Sequence, residues 1–189
     1  MQHHHYILYK PNGYLSQFVY QKKRSKKLLG ELYHFAENTM AIGRLDEDSE
    51  GLLLLTTNGM ISEEIRSKKV EKEYFAQVDG IITPDALKQL EEGVIIGVKG
   101  TKYKTLPCVA KSLIDLPITI GDGKKIRDDR HGPTSWLRIT VTEGKYRQVR
   151  KMTAAVGFPT LRLIRYRIGT ITLEQLQCGD VVEVQKLEY

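Results

Sequence analysis

The sequence has little cysteine, a single tryptophan and no long hydrophobic run. Its two cysteines, Cys108 and Cys178, are too few for a disulfide scaffold and have no metal-ligand spacing, which favours reduced thiols in a cytosolic protein. The longest run of leucines covers residues 52–55, whereas a membrane-spanning helix needs about 20 apolar residues. Lys10 and Pro11 come too early for a secretory signal. We therefore expect neither a disulfide-rich secreted protein nor a membrane-spanning helix.

Positive charge is what the sequence has in excess. Its 29 lysines and arginines outnumber 23 acidic residues, which gives a formal net charge of +6. The segment 138–167 contains eight basic residues and one acid, Glu143, so the rest of the chain sums to −1. A second cluster at 22–27 has five cations in six residues. This concentration indicates a polyanionic partner, and phosphate contacts are its natural use.

Short apolar segments predict a chain built mainly from strands. With 189 residues, of which 41% are hydrophobic, the chain can form one domain of ordinary size or two small lobes. Strands are predicted from β-type patterns and flanking turn residues. The predicted strands are 6–9, 52–57, 74–78, 136–142, 161–166 and 181–184.

Helical spacing and capping signals predict four short helices. Leucines and a phenylalanine recur at helical spacing in 27–36, and 61–66 forms a shorter segment. Thr83 and Pro84 begin a third helix and Gly93 ends it. The fourth covers 145–156, where Arg147, Arg150 and Lys151 would share a polar flank. The polar segment 119–135 is a candidate mobile loop. Without regular βαβ alternation, this order indicates an α+β fold with a mainly antiparallel sheet.

Four acidic residues lie in the segment 43–51, at the start of the leucine run. A calcium loop would begin at Asp46, but its twelfth position would be Thr57 instead of a bidentate glutamate, so we reject it. A solvated acidic turn and a catalytic carboxylate on a loop held by a strand both stay open. Asp46 and Asp48 would also suit a glycosidase-like pair, but the sequence gives no distance between them.

Three motifs follow one another along the chain. They are Gly43-Arg44-Leu45-Asp46 with Ser49-x-Gly51-Leu52-Leu53-Leu54-Leu55-Thr56, then Lys72-Glu73-Tyr74, then Glu143-Gly144-Lys145-Tyr146-Arg147-Gln148-Val149-Arg150-Lys151-Met152. Together they resemble the motifs of the pseudouridine synthase family typified by synthase A of the small ribosomal subunit. The segments Lys10-Pro11 and Pro133-Thr134-Ser135-Trp136-Leu137 are similar to the large-subunit synthase E subgroup of that family.

The resemblance implies a fold and a domain organisation. It implies an α+β pseudouridine synthase fold, with a mixed, mainly antiparallel sheet in two lobes flanking an active-site cleft. Many relatives have a small RNA-binding S4 domain before the Lys-Pro motif, but only nine residues precede Lys10. We therefore expect residues 1–189 to form a single catalytic domain of two intertwined lobes, without an S4 domain.

The reaction that the resemblance implies is the isomerisation of a specific uridine to pseudouridine in ribosomal RNA, namely the 23S RNA of the large subunit. The N1–C1′ bond breaks, the base turns over, and C5 bonds to C1′. A stacked base hides these atoms, so the base must be flipped out. No cofactor or metal is implied. We expect a cytoplasmic monomer whose partner is ribosomal RNA and which has no membrane association.

The resemblance also assigns the site residues. Asp46 is the catalytic carboxylate, acting as a nucleophile or as the partner of an oxocarbenium-like centre. Arg150 is its ion-pair partner, with Arg147 as the alternative for that role and a phosphate contact as the alternative role of Arg150. Tyr74 stacks on the base near C5, and Arg44 helps to hold open the space of the extruded uridine. The expected RNA contacts are Arg44, Lys72, Lys145, Arg147, Lys151, Arg162 and Arg165, together with Arg167.

Two other functions stay open from the sequence. A catalytically silent RNA-binding or ribosome-assembly protein would use the same basic patch. A nucleoside hydrolase would use similar carboxylates but would release free uracil. The combination of Asp46, Tyr74 and Arg150 favours the isomerase, because RNA binding alone gains nothing from an acid beside the RNA.

Overall fold

The computed structural model describes residues 2–20, 25–67, 70–118, 120, 126 and 129–189. Most of the segment 119–128 and half of the basic cluster at 22–27 therefore lie outside the described residues. Eight residues of the predicted mobile loop 119–135 lie outside the described residues, so its mobility stays a prediction. Its last two residues, Thr134 and Ser135, belong to a strand.

The described chain forms eleven strands and three α-helices. The strands are β1 (His5–Lys10), β2 (Met40–Ala41), β3 (Glu50–Thr56), β4 (Lys72–Asp79), β5 (Ile95–Val98), β6 (Thr101–Lys104), β7 (Val109–Leu113), β8 (Thr134–Val141), β9 (Thr160–Ile168), β10 (Ile171–Thr172) and β11 (Val181–Val184). The helices are α1 (Gly59–Ser67), α2 (Pro84–Glu92) and α3 (Gln148–Ala155), with short 3-10 turns at Leu29–Glu31 and Asp129–His131. None of the helices in the described residues has the length and apolarity to cross a membrane.

Nine strands form one sheet, whose central order is β11-β1-β3-β9-β4-β8-β7. Every pairing in it is antiparallel except that of β3 with β9, which is parallel and joins Glu50 to Ile164 and Gly51 to Arg165. A separate hairpin pairs β5 with β6. The expected α+β fold with a mixed, mainly antiparallel sheet is confirmed.

The apolar core covers both faces of the central strands. All seven residues of β3 are buried. Leu52 and Leu54 pack in a cluster with the stacked rings of Phe75 and Tyr166, whose centroids are 4.7 Å apart. Leu53 and Leu55 point to the other face and pack with residues of β1 and Leu29. The continuous leucine run is therefore a strand buried on both sides, as predicted.

The capping signals of α2 are confirmed. The Thr83 side chain accepts a hydrogen bond from the Ala86 amide at 3.2 Å, and Pro84 is the first helical residue. Gly93 ends the helix with φ +86°, where a Cβ atom would lie 2.3 Å from the carbonyl oxygen of Thr105. Only glycine fits that position without moving the backbone.

The predicted helix at 27–36 is wrong. Only the 3-10 turn Leu29–Glu31 forms there. The rings of Phe18 and Tyr33 lie 5.3 and 5.2 Å from that of Phe35, which itself lies 5.1 Å from Tyr6. This ring cluster draws the chain back over β1, and its contacts override the helical spacing of the leucines.

The helix predicted at 145–156 begins later, at Gln148. Arg147 precedes it in a left-handed conformation with φ 52° and ψ 37°. The Gln148 side chain turns back to accept the Lys145 amide at 2.9 Å. The prediction that Arg147, Arg150 and Lys151 share a polar flank of the helix is therefore wrong, because Arg147 lies outside the helix and Arg150 is buried.

Candidate active site

Asp46 lies on the loop between β2 and β3, and that loop is fixed from both sides. The buried Ser16 hydroxyl donates to the Leu45 carbonyl at 2.7 Å and accepts the Leu45 amide at 2.9 Å. The Gly13 amide donates to the carbonyl of Glu47 at 2.8 Å. The backbone on either side of Asp46 is thus held by the segment that follows β1.

A cleft of about 400 Å³ opens beside this loop. Asp46 and Tyr74 both line it, although they belong to opposite halves of the sheet. Val141, Val149 and Leu163 supply apolar wall. The Asp46 side chain is 26% exposed, so its carboxylate is accessible from the cleft without being fully solvated. The cleft thus combines an acid, an aromatic ring and an apolar wall, as small-molecule sites commonly do.

Arg147 connects the two aspartates of the loop. One guanidinium nitrogen lies 3.1 Å from Asp46 Oδ2 and 3.0 Å from Asp48 Oδ1, and the other lies 3.1 Å from Asp48 Oδ2. Burial alone would raise the pKa of Asp48, but the Arg147 hydrogen bonds and the charges of Arg150 and Arg147 outweigh it and hold that pKa below its usual value. Asp48 is therefore fixed as a carboxylate beside Asp46.

Arg150 does not form the ion pair with Asp46 that the family resemblance implies. Its guanidinium is buried and donates to the Asp48 carbonyl at 2.7 Å and to the Ser49 hydroxyl at 3.1 Å, and it lies 3.5 Å from the Asp48 carboxylate. The reason is the late start of α3, which directs Arg150 inward and leaves Arg147 to reach across the cleft. The interpretation of Arg150 as the partner of Asp46 is wrong, and the alternative, Arg147, takes that position.

Two residues expected to contact RNA lie inside the protein. Arg162 is buried and donates to both carboxylate oxygens of Glu50, at 3.2 and 2.7 Å. Arg165 is buried and donates to the Leu52 carbonyl at 2.7 Å. The prediction that they face phosphate is wrong, because β9 is a central strand covered on both faces. Arg167, further along β9, is paired with Glu71 and Glu73.

Three of the other predicted RNA contacts line the cleft. Arg44 and Lys145 are exposed and line it together with Arg147. Lys151 donates to the Gly97 carbonyl at 2.6 Å. Lys72 donates to the Val70 carbonyl at 2.8 Å, and burial lowers its pKa.

Lys10 is a buried residue that supports the Asp46 loop from behind, a role that the sequence did not indicate. Its side chain is fully buried, and its ammonium donates to the carbonyls of Pro11 and Tyr14 at 2.8 and 2.7 Å. Burial lowers its pKa to about 8. These bonds hold the segment that in turn supports the Asp46 loop through Gly13. The sequence marked Lys10 only as part of the Lys10-Pro11 motif, which did not indicate a buried ammonium.

Glu143 is a second residue whose role was missed. It accepts hydrogen bonds from the Tyr103 hydroxyl at 2.5 Å, the Leu106 amide at 2.9 Å and the Gln148 side chain at 2.7 Å. These bonds fix the segment that leads to Arg147. Its isolation among eight basic residues was a signal that this acid has a structural partner.

Comparison with known protein families shows which family contains this chain. A family described as RNA pseudouridylate synthase matches residues 4–155, which is more than half of the chain and includes Asp46, Tyr74 and Arg147. The chain belongs to this family. It is therefore a pseudouridine synthase, an isomerase, as the three motifs indicated.

Related pseudouridine synthases match along almost the whole chain. The ribosomal large subunit pseudouridine synthase E of Vibrio parahaemolyticus is 41% identical over 181 residues, covering 95% of this chain and 73% of that protein. The protein of the same name from Xanthomonas campestris is 39% identical, covering 92% of this chain and 91% of that protein. A crystal structure of a pseudouridylate synthase, 24% identical, superposes over 96% of this chain and 70% of its own with a TM-score of 0.72. This superposition confirms the pseudouridine synthase fold.

Proposed function

We propose that this pseudouridine synthase isomerises a specific uridine of 23S ribosomal RNA in the large ribosomal subunit. The relatives with about 40% identity are named as large-subunit synthases, and their similarity covers most of the chain. The observation that carries the proposal at the site is that Asp46, its guanidinium partner Arg147 and the ring of Tyr74 line one cleft. The acting unit is the catalytic domain formed by residues 1–189, with the cleft between the two halves of its sheet.

Asp46 is the group proposed to act on the ribose. Its carboxylate meets C1′ of the flipped uridine, as a nucleophile or as the partner of positive charge, while the N1–C1′ bond breaks. The freed base then turns over, C5 bonds to C1′, the C5 proton leaves, and N1 gains a proton. Arg147 orients the carboxylate of Asp46 through the 3.1 Å contact and stabilises its negative charge.

Tyr74 is proposed to stack on the flipped base and to lie near C5, from which a proton must be removed. Its position on β4 at the cleft supports this role. Arg150 is proposed as a positioning residue, since it binds the backbone of Asp48 and the hydroxyl of Ser49 behind the reacting carboxylate. Arg44, Lys72, Lys145, Arg147 and Lys151 remain the proposed RNA contacts, and Arg44, Lys145 and Arg147 of these line the cleft.

The experiment is to incubate the protein with 23S ribosomal RNA transcripts and to map pseudouridine by carbodiimide-dependent stops in primer extension. We expect one strong new stop in 23S RNA and none in 16S RNA treated in parallel. RNA binding without any stop would contradict the proposal and would favour the silent RNA-binding protein. Release of free uracil would instead indicate hydrolysis of the nucleoside bond.

The proposal also covers the cellular location and the oligomeric state of the protein. We expect the protein to act in the cytoplasm as a monomer on ribosomal RNA. Light scattering after gel filtration, with and without an RNA fragment, measures the mass in solution. A mass near 21.6 kDa for the free protein is expected, and a stable dimer would contradict the monomer.

A further inference from the structure

The β5–β6 hairpin concentrates positive charge outside the basic segment 138–167. Lys99, Lys102 and Lys104 lie in its ten residues, which contain no acid. All three side chains are exposed, and none takes part in an ion pair between described residues. The hairpin thus presents three uncompensated cations to solvent.

The backbone of the hairpin places these cations on its tip and outer face. Val98 pairs with Thr101, so the turn consists of Lys99 and Gly100, both with positive φ, at 49° and 82°. Asparagine or aspartate is the usual residue at the first position of such a turn. A lysine in this left-handed backbone conformation costs more conformational free energy. Lys102 and Lys104 alternate with Tyr103 and therefore point away from the core, toward which Ile96 and Tyr103 turn.

The hairpin is attached to the rim of the cleft. The Tyr103 hydroxyl donates to Glu143 at 2.5 Å, and Lys151 of α3 donates to the Gly97 carbonyl at 2.6 Å. The Lys145 ammonium lies 4.8 Å from the centroid of the Tyr103 ring, and Lys145 also lines the cleft. Lys145 therefore lies between the cleft and the hairpin that carries the three lysines.

We propose that the outer face of the β5–β6 hairpin binds the phosphate backbone of the RNA segment adjoining the flipped uridine. The inference rests on the proposed function, because it needs RNA in the cleft. Lys102 and Lys104 are two residues apart on β6, which places them about 6.6 Å apart along the strand, and Lys99 lies at the turn. An RNA strand that leaves the cleft past Lys145 would have these three cations within reach of successive phosphates. Lysine contacts of this kind add affinity without choosing the base.

The test compares two triple variants with the same loss of charge. K99Q/K102Q/K104Q removes the hairpin cations, and K88Q/K111Q/K186Q removes three exposed lysines on α2, on β7 and beyond β11. RNA affinity is measured by fluorescence anisotropy at several salt concentrations, with a 23S fragment that contains the modified uridine. For the hairpin variant we expect Kd to rise by about tenfold and the salt slope to fall by about two, because each phosphate contact contributes about 0.7–0.9 to the slope.

Further measurements decide whether the hairpin binds RNA through its charge. The charge-preserving variant K99R/K102R/K104R should restore affinity and slope to within about twofold of the wild type. Equal RNA affinity of the hairpin and control variants would overturn the proposal. Binding to anionic lipid vesicles is measured in parallel, and a hairpin variant that lost only vesicle binding and kept its RNA affinity would also overturn it. Pseudouridine formation by the wild-type protein on the same fragment is measured separately. Its absence would contradict the proposed function, whereas its presence with unchanged hairpin-variant affinity would contradict the hairpin proposal alone.

Discussion

At the scale of single residues, the cleft is an acid site whose charges are fixed by two arginines with different tasks. Arg147 bridges the carboxylates of Asp46 and Asp48, and Arg150 holds the backbone behind them. The sequence placed both arginines in one motif but did not distinguish their partners, because the left-handed backbone at Arg147 has no signature in residue type.

Tyr74 gives a first prediction at this scale. Tyr74→Phe keeps the ring that stacks on the base but removes the hydroxyl near C5. Because a positioned proton-transfer group contributes about 100-fold or more, we expect the single-turnover rate of pseudouridine formation to fall by about that factor, with little change in RNA affinity. The control is Tyr33→Phe, in the ring cluster over β1. A rate for Tyr74→Phe equal to that of the control would show that the hydroxyl has no part in the reaction.

Asp48 gives a second prediction, on stability against pH. Its pKa in the folded protein lies below the usual value of 3.8, so its contribution to the free energy of unfolding is fully present above that pH and is lost as pH falls through the folded value. Asp48→Asn should therefore be less stable than the wild type at pH 7, and the difference should shrink below about pH 4.

Urea unfolding between pH 3 and pH 7 measures this difference. Glu92→Gln, which changes an exposed acid at the end of α2, is the control and should follow the wild type. A difference for Asp48→Asn that stays constant over the whole range would mean that the ionisation of this carboxylate is not linked to folding.

At the scale of elements, the apolar residues of buried strands made these strands predictable from sequence. The ends of the helices depend on side-chain contacts that the sequence pattern does not show. The leucines of β3 required a covered strand, and Thr83 with Pro84 marked the start of α2. Helix 27–36 failed because ring packing around Tyr6 outweighs the spacing of leucines. The prediction for the arginines of β9 failed for a related reason. Their partners, Glu50 and the Leu52 carbonyl, are on β3, which neighbours β9 in the sheet but is more than 100 residues away in sequence.

The junction of β3 and β9 gives a prediction at this scale. A Cβ atom on Gly51 would lie 2.3 Å from the Arg165 carbonyl oxygen, and the φ of +108° also disfavours a side chain. Gly51→Ala should lower the free energy of unfolding by about 3 kcal/mol, since overpacking and backbone strain each cost about 1–3 kcal/mol. Gly59→Ala, with nothing within 4 Å of its Cβ position, should be close to neutral. Equal unfolding midpoints in urea would contradict the close approach of the two strands.

At the scale of the whole molecule, the parallel contact of β3 and β9 joins two antiparallel half-sheets and brings the Asp46 loop opposite Tyr74. The motifs were sufficient to name the family and some residues that line the cleft, such as Asp46 and Tyr74, but they also suggested Arg150, which does not line it. They were not sufficient to sort the basic residues into those that stabilise the core, such as Arg162, and those that stay exposed beside the cleft, such as Lys145. Whether a basic residue is buried or exposed depends on whether its strand lies in the middle of the sheet, as β9 does.

The most direct test of the account is single-turnover pseudouridine formation by Asp46→Asn on the 23S transcript, compared with Glu47→Gln. Both variants remove one carboxylate charge from the same loop, but Glu47 is paired with Lys26. We predict no detectable product with Asp46→Asn, RNA affinity within about twofold of the wild type, and near wild-type product with Glu47→Gln. Normal turnover by Asp46→Asn would contradict the central claim that the Asp46 carboxylate acts on the flipped uridine.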